Sequence, residues 1–182
     1  MCTRMLRFGL VLTLGVSPGS AEGQRQRVAL PLPGAQVVMD TLGERVTMNA
    51  RPGELYAAAA LVLQNFGIPT DVRDSVGGLL GTLRFVRSRQ LNRTPLSVFL
   101  SCGSSMTGLR ADYYRLTMPL LLMIDPLDAE RSHLRIALVA SAQDPTGSSN
   151  QPVLCGSTGG LEARLRKAID AQLLVLKAAK PQ

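Results

Sequence analysis

The sequence predicts an α+β fold in which a single antiparallel sheet carries two helices packed on one face. Three observations predict it. Two stretches, one after Pro52 and one after Thr158, repeat apolar residues at helical spacing. The segments before and between them alternate apolar with polar residues, as half-buried strands do. The order is strands, helix, hairpin, further strands, helix, and stacking both helical stripes on one sheet face is the economical way to bury them.

In chain order, Ala35 to Asp40 and Glu44 to Ala50 are rich in β formers and flank Thr41-Leu42-Gly43, so a hairpin is expected. After Pro52 and Gly53, the residues Leu55, Ala59, Val62, Leu63 and Phe66 share one face of a helix that Gly67 stops. The alanine run at 57–60 lets that helix approach a sheet closely. Thr70 to Val76 and Leu79 to Arg87 form a second hairpin about Gly77-Gly78. In it Leu79, Leu83 and Phe85 point one way, Thr82, Arg84 and Val86 the other, and Gly81 marks a bulge. Thr94 to Cys102 reads as a strand and Gly103 to Asp112 as a loop. Tyr113 to Asp125 reads as a strand with Tyr114, Leu116, Met118, Leu120, Leu122 and Ile124 on one face, and Pro119 either counts against that strand or puts it at a sheet edge. His133 to Ala142 alternates again: Leu134, Ile136, Leu138 and Ala140 inward, His133, Arg135 and Ser141 outward. In the last helix Thr158 is the expected cap and Glu162 complements the first-turn dipole. Its apolar stripe is Leu161, Leu165, Ala168, Ile169, Leu173 and Leu176, with Arg164, Arg166, Lys167 and Asp170 in water.

The N-terminus reads as an export address. A basic start, Met1 to Arg7, precedes an apolar run, Phe8 to Val16, too short to span a bilayer, and small residues at Gly19 and Ala21 offer a cleavage site. The expected organisation is a signal peptide at 1–21, a flexible leader at 22–34, and one α+β domain at 35–178. Cys2 lies on the wrong side of the apolar run to carry a lipid. No later stretch is long and apolar enough for a transmembrane helix. The expected product is periplasmic or secreted and, once cleaved, not an integral membrane protein.

Charge and composition narrow the partners. Twenty basic residues face 13 acidic ones, for a formal +7, which falls to +5 when Arg4 and Arg7 leave with the signal. That balance favours anionic neighbours in the envelope. Aromatic residues are only 4% of the chain and Trp is absent, so a stacking platform for bases is poorly supplied, and no nucleic acid partner is expected.

Cys102 and Cys155 are the cysteines that remain after the signal, and an even count in an oxidising compartment predicts one disulfide. A redox pair would read Cys-x-x-Cys, which is absent, and zinc needs about four ligands where the chain offers two Cys and one His. No metal or cofactor is expected. The Gly-Ser-Ser and Gly-Ser-Thr tails after the two cysteines read as turn and cap residues; no phosphate-loop lysine follows them. His133, the sole histidine, reads as an exposed strand residue, and no Gly-x-Ser-x-Gly accompanies it. Asp71, Asp74, Asp125 and Asp128 read as strand-edge and turn residues, and Asn92 opens a glycosylation triplet. No catalytic set is assigned, and an enzyme is the less expected role.

Two groups remain as candidate binding residues. Arg73, Arg84, Arg87, Arg89 and Arg93 gather on the second hairpin and its exit, either as a charged sheet edge or as a contact for an anionic envelope surface. Met106, Tyr113 and Tyr114 are candidates to line a pocket.

The stretch Gly53 to Phe85, in which a helix ends at Phe-Gly and an Asp-Ser-x-Gly-Gly turn leads into a strand, resembles the repeated domains of BamC-like outer-membrane assembly lipoproteins. That resemblance implies a helix-grip fold, with helices packed over an antiparallel sheet. The later frame, Ser101-Cys102-Gly103 through Ala111-Asp112-Tyr113-Tyr114 to Leu154-Cys155 and Ser157 to Leu165, is similar to uncharacterised exported bacterial proteins. Together these readings lead to an expected function: an exported, non-catalytic envelope domain that binds or adapts another envelope component. The alternative is a small ligand or lipid carrier, or a hydrolase, using a groove between helix and sheet.

Overall fold

The computed structural model describes residues 27–29, 36–147, 149 and 151–179. The expected signal peptide lies outside them, and of the leader only 27–29 fall inside. Those three residues form β1 (Arg27–Ala29), which pairs antiparallel with β2 (Gln36–Val38). The hairpin expected across 35–50 therefore does not form. A 3-10 turn, Met39–Thr41, follows β2, and Met39 is fully buried. The chain then crosses the sheet at Gly43 (φ 79°), where a Cβ would stand 2.0 Å from the Ile136 carbonyl oxygen. Only then does β3 (Arg45–Met48) begin, paired with residues far along the chain.

Helix α1 (Pro52–Asn65) starts as the sequence requires, with proline in its first turn and Glu54 at the positive end of its dipole. It ends in a Schellman motif at Gly67 (φ 64°). The Gly67 N–H donates to Gln64 O at 3.0 Å and the Ile68 N–H to Leu63 O at 2.9 Å. Leu55, Ala58, Ala59, Val62 and Leu63 are buried. The Gly77-Gly78 hairpin is present as β4 (Val72–Asp74) and β5 (Leu79–Thr82). Gly81 is not a bulge. It pairs in register with Val72 and Leu121, at φ 148°, because the neighbouring backbone leaves no room for a Cβ: one would meet Leu120 O at 2.1 Å.

Short elements follow: β6 (Val86–Ser88), β7 (Gln90–Leu91), β8 (Thr94–Pro95), a 3-10 turn at Leu96–Val98, and β9 (Leu100–Ser101). The strand expected over 94–102 is thus broken by a turn that buries Leu96 behind Pro95. The expected loop at 103–112 contains the hairpin β10 (Ser104–Ser105) and β11 (Gly108–Leu109), then a one-turn helix, α2 (Arg110–Tyr113). The remaining elements are β12 (Arg115–Thr117), β13 (Leu120–Pro126), β14 (Ser132–Leu138), β15 (Ala140–Gln143), β16 (Val153–Ser157) and α3 (Gly160–Ala178).

The α+β class holds, but the expected single sheet is two. Among the described residues, one five-stranded antiparallel sheet runs β3-β14-β13-β5-β4 and the other β6-β12-β15-β16-β9, with three two-stranded pairs besides. Three chain segments pass from one sheet to the other: β5 into β6, β12 into β13, and β14 into β15. Their bends fall side by side. The Met118 N–H donates to Phe85 O at 2.7 Å, and the Val139 N–H donates to Pro119 O at 3.1 Å. Pro119 does not mark the expected sheet edge, since β12 and β13 each have a strand on both sides; having no N–H for a ladder, it sits where the ladder turns.

Both long helices pack inside this bent surface, against each other and against residues of both sheets. Leu116, Met118, Leu120, Leu122 and Ile124 keep the expected common face across Pro119, as do Leu134, Ile136, Leu138 and Ala140 across Val139. The β5–β6 segment does not keep its parity. Leu80 and Phe85 face the helices, whereas Leu79 and Leu83 face away, because the bend between the sheets shifts the alternation by one. Nor is only one sheet face apolar. Leu121 and Ala137, fully buried, join Met39, Leu42, Met123 and Val139 in a second cluster on the back of the first sheet. Ser141, expected outward, is buried too.

Candidate binding site

Cys102 and Cys155 form a disulfide, with Cα atoms 4.3 Å apart. The register explains the pairing. Ser157 faces Leu100 and Gly156 faces Ser101 across β16 and β9, so Cys155 and Cys102 are the next opposed pair. Both cysteines are buried. The two similar Cys-Gly stretches are the two sides of one cross-strand staple, which fixes the edge strand β9 and the strand that leads into α3.

Beside this staple lies a groove of about 510 Å³. Its floor is Leu134, Ile136 and Leu138 of β14. One wall is α3, through Glu162, Ala163 and Arg166; the other is the crossing segment at Leu42–Glu44. The groove exists because the ladder has a gap. β14 is paired by β3 at 132–135, and β15 is paired by β16 at 140–142. Among the described residues, no strand covers that side of 136–139. Glu44 and Arg166 face each other across the mouth at 3.5 Å, an exposed pair worth little energetically.

The start of α3 is built differently from the expected Thr158 cap. Gly159 is the capping residue, left-handed at φ 80°. The Ser157 hydroxyl accepts the Gly159 N–H at 3.0 Å and donates to Glu162 Oε1. Thr158 Oγ1 instead donates to Val98 O at 2.8 Å, and accepts the Gly160 N–H at 3.3 Å. Glu162 Oε2 is buried without a hydrogen-bond partner.

The sequence-predicted residues fall in several places. Met106 is fully exposed and Tyr113 is exposed, while Tyr114 packs against the core, so these three do not converge on one cavity. Arg73 donates to the Thr70 hydroxyl and carbonyl, and Arg84 stands near Asp71. Arg87 lies 4.8 Å over the Phe85 ring and donates to Gly67 O at 2.9 Å. Arg87 and Arg93 border one depression, and Arg73 borders its neighbour. His133 sits on the face of β14 opposite Leu134, with Nδ1 3.4 Å from the Thr47 hydroxyl. Sequence reasoning missed the groove walls Glu44, Ala163 and Arg166. Arg166 read as solvated because nothing local signals that residues 42–44 fold back across it. Among the described residues, no cluster of three or more His, Cys, Asp or Glu is placed to hold a metal ion, and no helix is long and apolar enough to cross a membrane. No protein-family model matches the chain, and no curated protein matches it.

Asp128 and Asp71 are held below the ordinary value of 3.8. At Asp128 the Arg131 side chain is the main cause, joined by the N–H groups of Glu130 and Arg131. At Asp71 partial burial pushes upward, but the Thr82 hydroxyl, the N–H groups of Asp71 and Leu83, and the Arg84 charge outweigh it. A depressed folded value stabilises the fold above the unfolded value, and the benefit is lost as pH falls through the folded value. Urea midpoints therefore decline below about pH 4, and Asp128→Asn shows a smaller decline than wild type between neutral and acid pH.

Proposed function

We propose that this chain is an exported, non-catalytic binding domain that contacts another envelope component, either a protein or an anionic envelope surface. The observation that carries this reading is the groove left by the ladder gap, whose apolar floor is flanked by one arginine and two carboxylates. Concave, mainly apolar sites with a few placed polar groups are the usual binding sites of proteins. The buried disulfide supports an oxidising compartment. His133 lies on the opposite face of β14 from the groove floor, so the polar side chains nearest that floor are Glu44, Glu162 and Arg166. The helix-grip resemblance, which implies helices packed over an antiparallel sheet, belongs to the same proposal.

A second reading, a carrier for a small apolar ligand, is favoured by the three aliphatic floor residues and the groove's volume. One experiment tests both. The mature chain is purified from an envelope fraction in mild detergent and weighed by native mass spectrometry. Ala163→Trp fills the groove from α3, while Leu174→Asp alters an exposed position elsewhere on the same helix. The expected result is a retained mass that Ala163→Trp loses and Leu174→Asp keeps. A protein-sized mass supports the binding domain and a lipid-sized mass the carrier. A wild-type chain with nothing bound, or equal retention by both variants, overturns the groove as the contact site.

A further inference from the structure

We propose that the depression between the end of α1 and the β7–β8 hairpin binds a phosphate group carried by an anionic ligand. This rests on the reading of the chain as a binding domain, but on a surface separate from the groove. The depression measures about 380 Å³ and is lined by Arg87, Ser88, Gln90, Asn92 and Arg93 beside Phe66. Every polar side chain in that set offers a donor, and no Asp or Glu lines it. The whole stretch 84–98 carries four arginines and no acidic residue.

The backbone gives the second argument. The register Leu91↔Thr94 leaves a two-residue turn, and both its residues are left-handed, Asn92 at φ 49° and Arg93 at φ 62°. Such a turn favours Asn then Gly. Asn is present, but the glycine position holds an arginine, and Arg89 just before the hairpin is left-handed as well, at φ 68°. Three strained non-glycine residues in five mark a segment whose side chains are kept for what they do.

The hairpin is also held rigidly. Leu91 is buried in the main core, and Arg164 Nη1 of α3 donates to the Thr94 hydroxyl at 2.6 Å. Arg87 is fixed by the Phe85 ring and Gly67 O, whereas the Arg93 side chain makes no hydrogen bond or ion pair among the described residues. One guanidinium is thus placed in advance and a second is free to close on a ligand, a pairing suited to bidentate contacts with phosphate oxygens. The negative end of the α1 dipole faces this region. The Leu63 and Gln64 carbonyls are taken by the Schellman bonds and the Gly67 carbonyl by Arg87, which reduces its repulsion of an anion.

The test uses the mature chain with its disulfide intact. Inorganic phosphate is titrated by calorimetry, and phosphatidylcholine vesicles with and without phosphatidic acid by co-sedimentation. Arg93→Gly is the informative variant. Glycine relieves the left-handed turn, so the melting temperature rises, while phosphate binding weakens about tenfold. Arg87→Gln weakens binding similarly. Arg84→Gln, the same charge change outside the depression, leaves binding within about twofold. Binding of free phosphate points to a soluble phosphate ester, and binding of phosphatidic acid vesicles alone points to a lipid headgroup. Either result supports the site. Binding of neither probe, or equal weakening by Arg84→Gln, overturns it. Ala163→Trp leaves phosphate binding unchanged, so loss of the groove reading and loss of this one are separable.

Discussion

Replacing both Cys102 and Cys155 with alanine lowers the unfolding free energy by about 4 kcal/mol, the chain-entropy value for a bridge spanning 53 residues. For a domain of this size that is a drop of roughly 10 °C in melting temperature. The geometry says where the loss is spent. β9 is a two-residue edge strand paired, among the described residues, with β16 alone, so without the bridge it is the first part of the second sheet to open. The double variant is the right comparison, since either single variant leaves a free thiol. The measurement is paired denaturant titrations, with hydrogen exchange at Leu100 and Ser101. A double variant as stable as wild type would mean that the two strands hold each other unaided.

Gly81→Ala is the second large effect, at about 4 kcal/mol. It combines two costs. A Cβ would stand 2.1 Å from Leu120 O and 3.0 Å from the Leu121 Cα, both backbone atoms of β13. The residue also holds φ 148°, which L side chains rarely adopt. Because β5 is paired on both sides, neither strand can yield without opening a ladder. Gly156→Ala is the control: it is also a strand glycine, but its Cβ would meet nothing within 4 Å. Equal destabilisation by the two changes would refute the close-approach argument.

Elements with one period and clear ends were legible in the sequence. The Pro52 start and Gly67 stop of α1 and the apolar stripe of α3 appear where the pattern places them, whereas the strands expected over 113–125 and 133–142 keep their inward faces but are each split, at 118–119 and at Val139, with Tyr113 in α2. Local chemistry also suggested the disulfide, although only the register of β9 against β16 explains why those two cysteines meet. What escaped was non-local. The division into two sheets depends on three bends lying side by side, and no single segment announces that. The bend between Thr82 and Val86 slips the alternation by one, so reading Leu79, Leu83 and Phe85 as one face was bound to fail there. The groove escaped for the same reason. Its walls come from residues 42–46, 155–159 and 162–166, which are brought together only by the sheet. The basic depression was half visible. The arginines stood out as a cluster, but the left-handed turn that aims Arg93 was not legible, because its sequence lacks the usual glycine.

The pairing of β3 with β14 also sets a timetable for maturation. Residues 45–48 must wait for 132–135, nearly half the chain later, before they have a neighbour. Hairpins such as β4–β5 and β13–β14 close locally and early, whereas this closure is slow because it spans so much chain. Until it occurs the inner surfaces of both sheets stay partly open, and the nascent polypeptide is at its most adhesive. Self-association therefore competes with folding chiefly before β14 reaches β3.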